Sequence, residues 1–507
     1  MATPLTTLLT TVLMVGPVAL PGIGAVLYGL LGWRPDTTWL GTVCAAGILV
    51  CGIGLGIVVA ADGPHIAAGG LVRVDALSAF MIIVIGAIGL LATAASPAFL
   101  QAEIHSGRAT ARTAARHSLL VQSFLAAMAL AVLAANLGVV WVAVEATTIV
   151  TAFLVGQGRS RASVEAAWKY VVICSVGIAL AFLGMILLNY ASEQTLAPAE
   201  LDWVRLAAGA ADLDPGVTRI AVALLVVGFG TKVGLAPLHA WLPDAHSQAP
   251  APVSALMSGV LLSVAFYAIL RVKVIADAAL GAGFVRALLL VMALATLAVA
   301  TSLLLAQRDY KRMLAYHSME HMGLLALGTA AGSRVAVAAV LLHILGHGLA
   351  KAVLFLSSGR ILQLTGSRLV SNVRGLAARE PVLAGLVGLG VLALLGFPPF
   401  SLFASELGIF TAGYAAGTGW ATSVALVLVL VITAALLGHA GHMLLGDPSP
   451  AVVPAQGPGA ATAPDRTARS TTVPLAVGLA VCAVLGVAAG PLLHLLSLAA
   501  DILTGTS

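Results

Sequence analysis

Long apolar segments recur along almost the whole sequence, and they constrain the fold more than any other feature. Each is about 20 residues long, which is the length an α-helix needs to span the hydrocarbon core of a bilayer. Only 9% of the 507 residues are charged, whereas soluble domains carry about 25%, so the chain cannot cover a water-facing surface of its own size. We therefore predict an all-α polytopic membrane protein, and soluble, disordered and disulfide-scaffold folds are excluded.

Loop signals divide the apolar segments into fourteen predicted transmembrane helices. These lie near residues 8–32, 38–61, 75–100, 118–134, 137–157, 164–190, 217–239, 251–270, 280–305, 312–330, 335–361, 382–413, 421–446 and 472–499. The first apolar segment lacks the charged start and cleavage site of a signal peptide, so we predict that it is the first span.

The distribution of basic residues predicts the orientation of these helices. With the N-terminus outside, fifteen lysines and arginines fall in cytoplasmic connections and six in outward ones, among them Arg271 and Lys273. Positive residues accumulate on the cytoplasmic side of membrane proteins. The pattern predicts a multi-pass protein of a bacterial cell (inner) membrane with its N-terminus outside.

Several ionisable residues lie within the predicted spans, where each costs roughly 2.5–3.5 kcal/mol on insertion. The basic ones are Lys169, Lys232, Arg286 and Lys351, the acidic ones are Glu145, Glu320 and Glu406, and the histidines include His317, His321, His343 and His347. Such residues are usually functional, so we predict an ion or proton pathway.

Two spans contain backbone breaks beside these charges. Gly234 and Pro237 follow Lys232, and the sequence Gly396-Phe397-Pro398-Pro399 precedes Glu406. Proline removes a backbone donor and interrupts a helix, and paired broken helices mark ion sites in inverted-repeat transporters. We predict broken helices 7 and 12.

The spacing of the charges predicts an internal repeat. Glu145 and Lys232 are 87 residues apart, and Glu320 and Glu406 are 86 apart. These pairs relate spans four to eight to spans nine to thirteen, and a repeat of five helices must be inverted. The predicted units are three N-terminal helices (1–117), two five-helix repeats (118–275 and 276–446), a flexible cytoplasmic linker (447–471) and a C-terminal helix (472–507).

His343, His347 and Lys351 recur at every fourth residue, which places them on one helix face. Imidazole titrates near neutral pH, so this stripe suits proton relay. A metal site is disfavoured because Lys351 would repel a cation and no acidic ligand is near in sequence. The four cysteines, Cys44, Cys51, Cys174 and Cys482, lie in apolar runs without metal spacing, and they are interpreted as buried thiols.

Other polar residues have alternative interpretations. Lys169 pairs structurally with Glu145 or Glu165, or joins the pathway. Asp244 and His246 follow the first break and serve either ion uptake or bracing of the loop. His239 also lies at this break and is a possible pathway residue. Nucleotide-binding signatures are absent, and the basic balance is not interpreted as nucleic-acid binding.

Three stretches resemble a known family. They are KVGLAPLHAWLPDAHSQAPAPVSALMSGVLL, DYKRMLAYHSMEHMGLLALG and LHILGHGLAKAVLFLSSG. Each resembles the antiporter-like subunits of respiratory complex I, of multisubunit cation/proton antiporters and of membrane-bound NiFe hydrogenases. The motifs around Glu320 and Glu406 look closest to the hydrogenase-4 component F type. The resemblance covers about residues 70–445.

The resemblance implies fourteen helices with two inverted five-helix repeats and a hydrated polar axis at mid-membrane. It implies that Glu145 pairs with Lys232, the switching proton carrier of the first half. His343, His347 and Lys351 match a connecting relay, and Glu406 matches the terminal carrier. Related subunits carry a titratable residue on helix eight, whereas this chain has only Ser258 and Ser263 there. Either water and the group His317, Glu320 and His321 replace it, or the connection between the two halves is weak and the protein conducts less than its relatives.

The favoured hypothesis is a proton-translocating membrane subunit of a redox-driven complex, either a membrane-bound hydrogenase or an NADH-quinone oxidoreductase. The chain itself is expected to hold no cofactor, redox centre or metal. Its expected partners are other membrane subunits, the lipid bilayer and peripheral iron–sulfur, NiFe hydrogenase-like or quinone-reducing subunits. A monovalent cation/proton antiporter subunit, the membrane partner of an inorganic-carbon uptake system and a purely structural anchor are the alternatives.

Overall fold

The computed structural model describes residues 4–446 and 465–505, and this part of the chain is almost entirely helical. The first half contains the helices α1 (Pro4–Leu31), α2 (Leu40–Asp62), α3 (Ala76–His105), α4 (Ala111–Leu133), α5 (Leu137–Val155), α6 (Arg161–Glu193), α7 (Trp203–Ala208), α8 (Pro215–Val233) and α9 (Trp241–Gln248). A short antiparallel pair, β1 (His65–Ala67) and β2 (Val72–Val74), connects α2 to α3.

The second half is also helical. Its helices are α10 (Ala251–Leu256), α11 (Leu262–Leu280), α12 (Ala282–Leu305), α13 (Tyr310–Ala331), α14 (Arg334–Thr365), α15 (Leu376–Arg379), α16 (Pro381–Leu394), α17 (Ser401–Ala415), α18 (Gly419–Leu445), α19 (Asp465–Val487) and α20 (Gly490–Thr504). A π-helical segment, Met257–Leu261, joins α10 to α11 without interrupting the chain.

The all-helical membrane fold predicted from the sequence is confirmed. Among the described residues, eleven helices are long and apolar enough to cross a membrane. The last predicted span is a bent pair, Thr471–Val487 and Leu492–Thr504, with an angle of 72°. The two other predicted spans correspond to α13 and to the pair α16 and α17. The count of fourteen crossings and the inverted repeats stay predictions.

Several predicted boundaries were wrong because polar residues extend the helices beyond their apolar segments. Helix α4 begins at Ala111 rather than at 118, with the Thr110 side chain accepting a hydrogen bond from the Thr113 amide. Residues 465–471 of the predicted linker belong to α19, and residues 447–464 lie outside the described part.

Arg271 and Lys273, which were predicted to lie in an outward loop, are buried in α11 instead. The Arg271 guanidinium donates to both oxygens of Asp75, at 2.7 Å each, and lies 3.8 Å from the centroid of the Trp203 ring. Lys273 pairs with Asp277. An ion pair can be buried when two parallel hydrogen bonds join its charged groups. The pair of Arg271 and Asp75 connects α11 to the start of α3.

Both predicted breaks are present. Helix α8 ends at Val233, and Gly234 has φ 84°, a left-handed conformation that favours glycine. The Ala236 amide donates to the Thr296 hydroxyl at 2.9 Å, which satisfies backbone freed by the break. Helix α16 ends at Leu394, and Gly396 has φ 64° before α17 begins at Ser401. Each break contains one cis peptide bond, at Ala236-Pro237 and at Pro398-Pro399.

Candidate proton-transfer site

Lys232 lies in the last turn of α8, directly before the first break, and it is fully buried. Its ammonium donates hydrogen bonds to the Thr148 hydroxyl at 2.6 Å and to the Tyr170 hydroxyl at 2.7 Å. It also lies 4.7 Å from the centroid of the Tyr170 ring. Three polar or aromatic contacts thus replace the water that a lysine loses on burial.

Glu145 reaches Lys232 through a hydroxyl rather than directly. The Thr148 hydroxyl donates to the Glu145 carboxylate at 2.8 Å while accepting from the Lys232 ammonium. Thr148 can make both bonds because it lies one turn from Glu145 on α5 and because a hydroxyl is both donor and acceptor. Within the described residues, the predicted pair is therefore a bridged triad of Glu145, Thr148 and Lys232.

The second half holds a denser cluster on two neighbouring helices. His317, Glu320 and His321 lie on α13, and His343, His347 and Lys351 lie on α14; all six are buried. The Nδ1 atom of His321 is 2.8 Å from Nε2 of His343. The His321 ring centroid is 4.7 Å from that of His317 and 4.8 Å from that of His347. His321 is therefore the centre at which the stripes of the two helices meet.

Glu406 and the second break complete this cluster. Nδ1 of His343 is 3.0 Å from the Ser405 hydroxyl, which precedes Glu406 on α17. A ligand atom from each of His321, His343 and Glu406 lies within 4.8 Å of the others. The Glu406 carboxylate packs against Gly396, where an added Cβ would stand 2.5 Å from its Oε2. Gly396 therefore both turns the chain and makes room for the acid.

Lys351 lies at the opposite edge of the cluster. Its ammonium donates to the Leu314 carbonyl at 2.6 Å. His317 and Glu320 are 3.1 Å apart but are not aligned for a hydrogen bond, and both ring nitrogens of His347 lack a partner. Buried polar atoms without partners carry a free-energy cost, and their concentration here indicates a site that exchanges protons or water.

Two triads in the cluster could hold a metal ion by distance alone: His317, Glu320 and His321, and His321, His343 and Glu406. Imidazole and carboxylate are suitable ligands for a first-row transition metal. However, His321 and His343 already contact each other, and the Lys351 ammonium acts electrostatically on the same cluster. The arrangement is better suited to passing protons between neutral and charged imidazoles.

Three of the possible pathway residues do not join either site. Lys169 has a side chain 46% exposed, and it pairs with Glu165 at 2.7 Å and with Asp244 at 3.0 Å rather than with Glu145. Asp244 also pairs with Arg312, at 2.5 Å. These contacts connect α6, α9 and α13 near the surface. His239 is half-buried in the first break, where its Nδ1 lacks a hydrogen-bond partner.

His246, which we predicted to serve ion uptake or to brace the loop after the first break, lies in the core instead. It is fully buried on α9, and its ring stacks on Phe355, with centroids 5.0 Å apart. Both of its ring nitrogens lack partners. The charges of both Lys311 and Lys351 act on it. No helical periodicity in the sequence marked its position in the core, because the break at Gly234 and Pro237 lies between Lys232 and His246.

A polar cavity of about 420 Å³ lies next to this part of the chain, and Glu103, Ala249, Lys311 and Arg368 are among its lining residues. Lys311 is buried, and its ammonium donates to the Ala249 carbonyl at 2.6 Å. Ala249 is three residues beyond His246. We had placed Lys311 in a cytoplasmic connection, whereas it belongs to the first turn of α13.

The fold and the site define a class of polytopic helical membrane proteins with broken helices beside buried ionisable groups. Residues 134–433, more than half of the chain, match the family described as NADH:quinone oxidoreductase/Mrp antiporter, TM. The chain belongs to this family, as its motifs predicted.

Curated relatives support the same assignment. The chain is 37% identical over 374 residues to the Hydrogenase-4 component F homolog of Methylacidiphilum infernorum, a match that covers 73% of this chain and 78% of the relative. It is 35% identical over 301 residues to NADH-quinone oxidoreductase subunit N of Desulforudis audaxviator, covering 58% of each protein. Related proteins are thus subunits of multisubunit membrane complexes.

Solved structures share the fold along nearly the whole chain. A chain of the Mrp complex from Dietzia sp. DQ12-45-1b aligns with a TM-score of 0.84 at 22% identity, covering 98% of both chains. A chain of the membrane-bound sulfane sulfur reductase, an archaeal respiratory membrane complex, aligns with a TM-score of 0.82 at 22% identity and the same coverage.

Proposed function

We propose that this chain is the proton-translocating subunit of a redox-driven membrane complex of the hydrogenase-4 or NADH-quinone oxidoreductase type. The observation that carries the proposal is the series of buried titratable groups that begins at Lys232 and continues through the cluster on α13 and α14, with the half-buried carboxylates Glu145 and Glu406 at its two ends. No redox group is needed in the chain for this function, because electron transfer in a partner subunit would supply the driving force.

The switching step is assigned to the triad of Glu145, Thr148 and Lys232. When the Glu145 carboxylate is close, its charge stabilises the protonated form of Lys232 through the shared hydroxyl. A charge change in a partner that draws Glu145 away removes this stabilisation, so the lysine releases its proton. Tyr170 can accept a hydrogen bond from the ammonium and donate one to the neutral amine, and it therefore fits both states.

His246 is the proposed connection between the two halves. The eighth predicted span, which corresponds to α10, the π-helical segment and α11, has no histidine, lysine or acid between residues 251 and 270. However, Ser258 of the π-helical segment contacts Ser318 of α13, with the hydroxyls 2.9 Å apart. His246 lies beside this region and stacks on Phe355, one turn along α14 from Lys351. A proton would pass from Lys232 through water to His246, then to Lys351 and His347, and through His321 and His343 to Glu406.

The cavity beside Lys311 is proposed as the uptake route from the cytoplasm. It lies at the end of the molecule where the basic connections predict the cytoplasmic side. The Lys311 ammonium lies at the wall of the cavity and donates to the Ala249 carbonyl, three residues beyond His246. The distribution of basic residues supports the proposal that the chain lies in a bacterial cell membrane with its N-terminus outside.

The proposal is tested in the native membrane. A pull-down in mild detergent, with mass spectrometry and assays of iron and nickel, should recover iron–sulfur subunits together with a nickel-bearing or quinone-reducing subunit. In that complex, Lys232→Met should lower redox-coupled proton pumping by about a hundredfold, the lower end of what a positioned proton carrier contributes. Lys169→Met is the matched control.

Three outcomes would contradict this function. Proton pumping that survives both Lys232→Met and Glu145→Gln would exclude the switching role. Recovery of small membrane subunits alone, with sodium- or potassium-driven proton movement in vesicles, would favour a cation/proton antiporter. Recovery of one soluble zinc protein, with growth lost at low carbon dioxide, would favour an inorganic-carbon uptake system.

A further inference from the structure

A basic groove lies at the end of the molecule where α1 finishes and α4 begins. It has a volume of about 650 Å³, and it is lined by Arg112, Arg116 and Arg159 together with Thr110 and Thr113. Tyr28, Gly29 and Leu119 also line it. We call it the arginine groove.

Within the described residues, no acidic side chain compensates the charges of the three groove arginines. Some other arginines are paired, such as Arg108 with Glu103 at 2.8 Å and Arg271 with Asp75 at 2.7 Å. In the part of the chain that the structure describes, Arg112, Arg116 and Arg159 form no such pair, and no acidic residue lines the groove. Three exposed like charges repel one another, so the groove favours an anionic occupant.

The groove adjoins a face that is suited to acyl chains. Helix α1 runs toward the groove and exposes Ile23, Val26 and Leu30 along one side, at 58%, 59% and 76%. Their spacing of three to four residues forms a continuous apolar stripe. A ligand that fills the groove beside this stripe would combine an anionic head with an apolar tail.

We propose that the arginine groove binds the phosphate headgroup of an anionic glycerophospholipid from the surrounding bilayer. Guanidinium groups recognise phosphate oxygens through paired hydrogen bonds, and basic pockets between transmembrane helices at the cytoplasmic side bind such headgroups. The N-terminus of α4, which begins at Ala111 beside the groove, adds a favourable partial positive charge. A free phosphate ion would use the arginines but not the apolar stripe.

The test uses the full-length purified chain and needs no proton transport. Native mass spectrometry would follow binding of dioleoyl phosphatidylglycerol, with dioleoyl phosphatidylcholine as the neutral lipid and inorganic phosphate as the free ion. We expect preference for phosphatidylglycerol, and we expect the triple variant Arg112→Gln, Arg116→Gln, Arg159→Gln to lose about a hundredfold in affinity, since each basic residue contributes about fivefold.

Matched variants distinguish the groove from general surface charge. Arg374→Gln removes an exposed arginine that does not line the groove. The affinity of this variant for phosphatidylglycerol should therefore equal that of the unmodified chain. If the triple variant does not fold, single variants should each lose about fivefold. Equal binding of both lipids would overturn the proposal, as would unchanged affinity in the groove variants. Binding of inorganic phosphate, or of polyglutamate as a polyanion without phosphate, as tightly as phosphatidylglycerol would also overturn it.

Discussion

The two halves of the molecule each place an ionisable side chain beside a break in a helix, a basic one in the first half and an acidic one in the second. In the first half one lysine stands at the end of a helix before a break, and a single hydroxyl connects it to one acid. In the second half an acid reaches back to a break from the helix that follows it, beside a cluster of four histidines. Both halves use a glycine with positive φ at the break.

Helix dipoles explain why the charges differ. Lys232 lies in the last turn of α8, where the helix C-terminus carries a partial negative charge that favours an ammonium. The Glu406 carboxylate reaches back toward the start of α17, and a helix N-terminus favours a carboxylate. A break in a helix therefore offers a C-terminus that favours a basic side chain and an N-terminus that favours an acidic one. The first half has a lysine at the helix C-terminus, and the second half has a glutamate near the helix N-terminus.

The largest effect is expected at the end of the pathway. Glu406→Gln keeps the shape of the side chain but removes its titration, so proton translocation should fall by about a hundredfold or more in the assembled complex. Glu406→Asp, which keeps a carboxylate, should retain measurable transport. Fluorescence quenching in inverted vesicles measures both rates. Normal pumping by the Gln variant would show that the second half needs no terminal acid.

The connection between the halves predicts the next largest effect. His246→Leu should slow proton translocation by about tenfold, because water alone would have to bridge the gap that the imidazole fills, and a positioned carrier contributes at least that much. His442→Leu, a histidine exposed at the end of α18, is the control with the same substitution. Equal rates in the two variants would mean that the halves are connected elsewhere.

The bridging hydroxyl of the first half predicts a smaller effect. Thr148→Val preserves shape but removes both hydrogen bonds, and a hydrogen bond to a charged group contributes about 1.5–3 kcal/mol. In a double-mutant cycle on the translocation rate, Thr148→Val and Glu145→Gln should be strongly non-additive, because the hydroxyl transmits the effect of Glu145 to Lys232. Thr148→Ser, which keeps the hydroxyl, should translocate protons at nearly the rate of the unmodified chain. Additive effects of Thr148→Val and Glu145→Gln would show that the triad does not act as a unit.

The smallest effect is expected for the surface charges. Lys169→Met removes a pair with Asp244 and another with Glu165, both at an exposed side chain, so stability should change by only about 0–1 kcal/mol. Thermal unfolding in detergent checks this value, and proton translocation should stay unchanged. A large loss of proton translocation would show that Lys169 belongs to the proton pathway and is not only a surface residue.

Local signals explain what the sequence could predict. Apolar segments, together with glycine and proline at the breaks, located the spans and both discontinuities, because these features depend on neighbouring residues alone. Motifs around Lys232, Glu320 and His343 identified the family. Helix ends were less accurate, since polar residues such as those of 111–117 continue a helix that the apolar pattern does not mark.

Tertiary contacts explain what was missed. Thr148 is an ordinary residue in an apolar helix, and its bridging role depends on α5 and α8 meeting there. The pair of Arg271 and Asp75 joins residues 196 positions apart. His246 was assigned to a loop because it follows the first break, whereas it is fully buried on the short helix α9.

The central claim is that both halves lie on one proton path, and a comparison of single and double variants tests it most directly. Proton translocation should be measured in the assembled complex for Lys232→Met, Glu406→Gln and the two combined. Residues that act in series are not additive, so the double variant should be no slower than the slower single variant. Two independent paths would instead leave each single variant with substantial transport and abolish it only in the double variant.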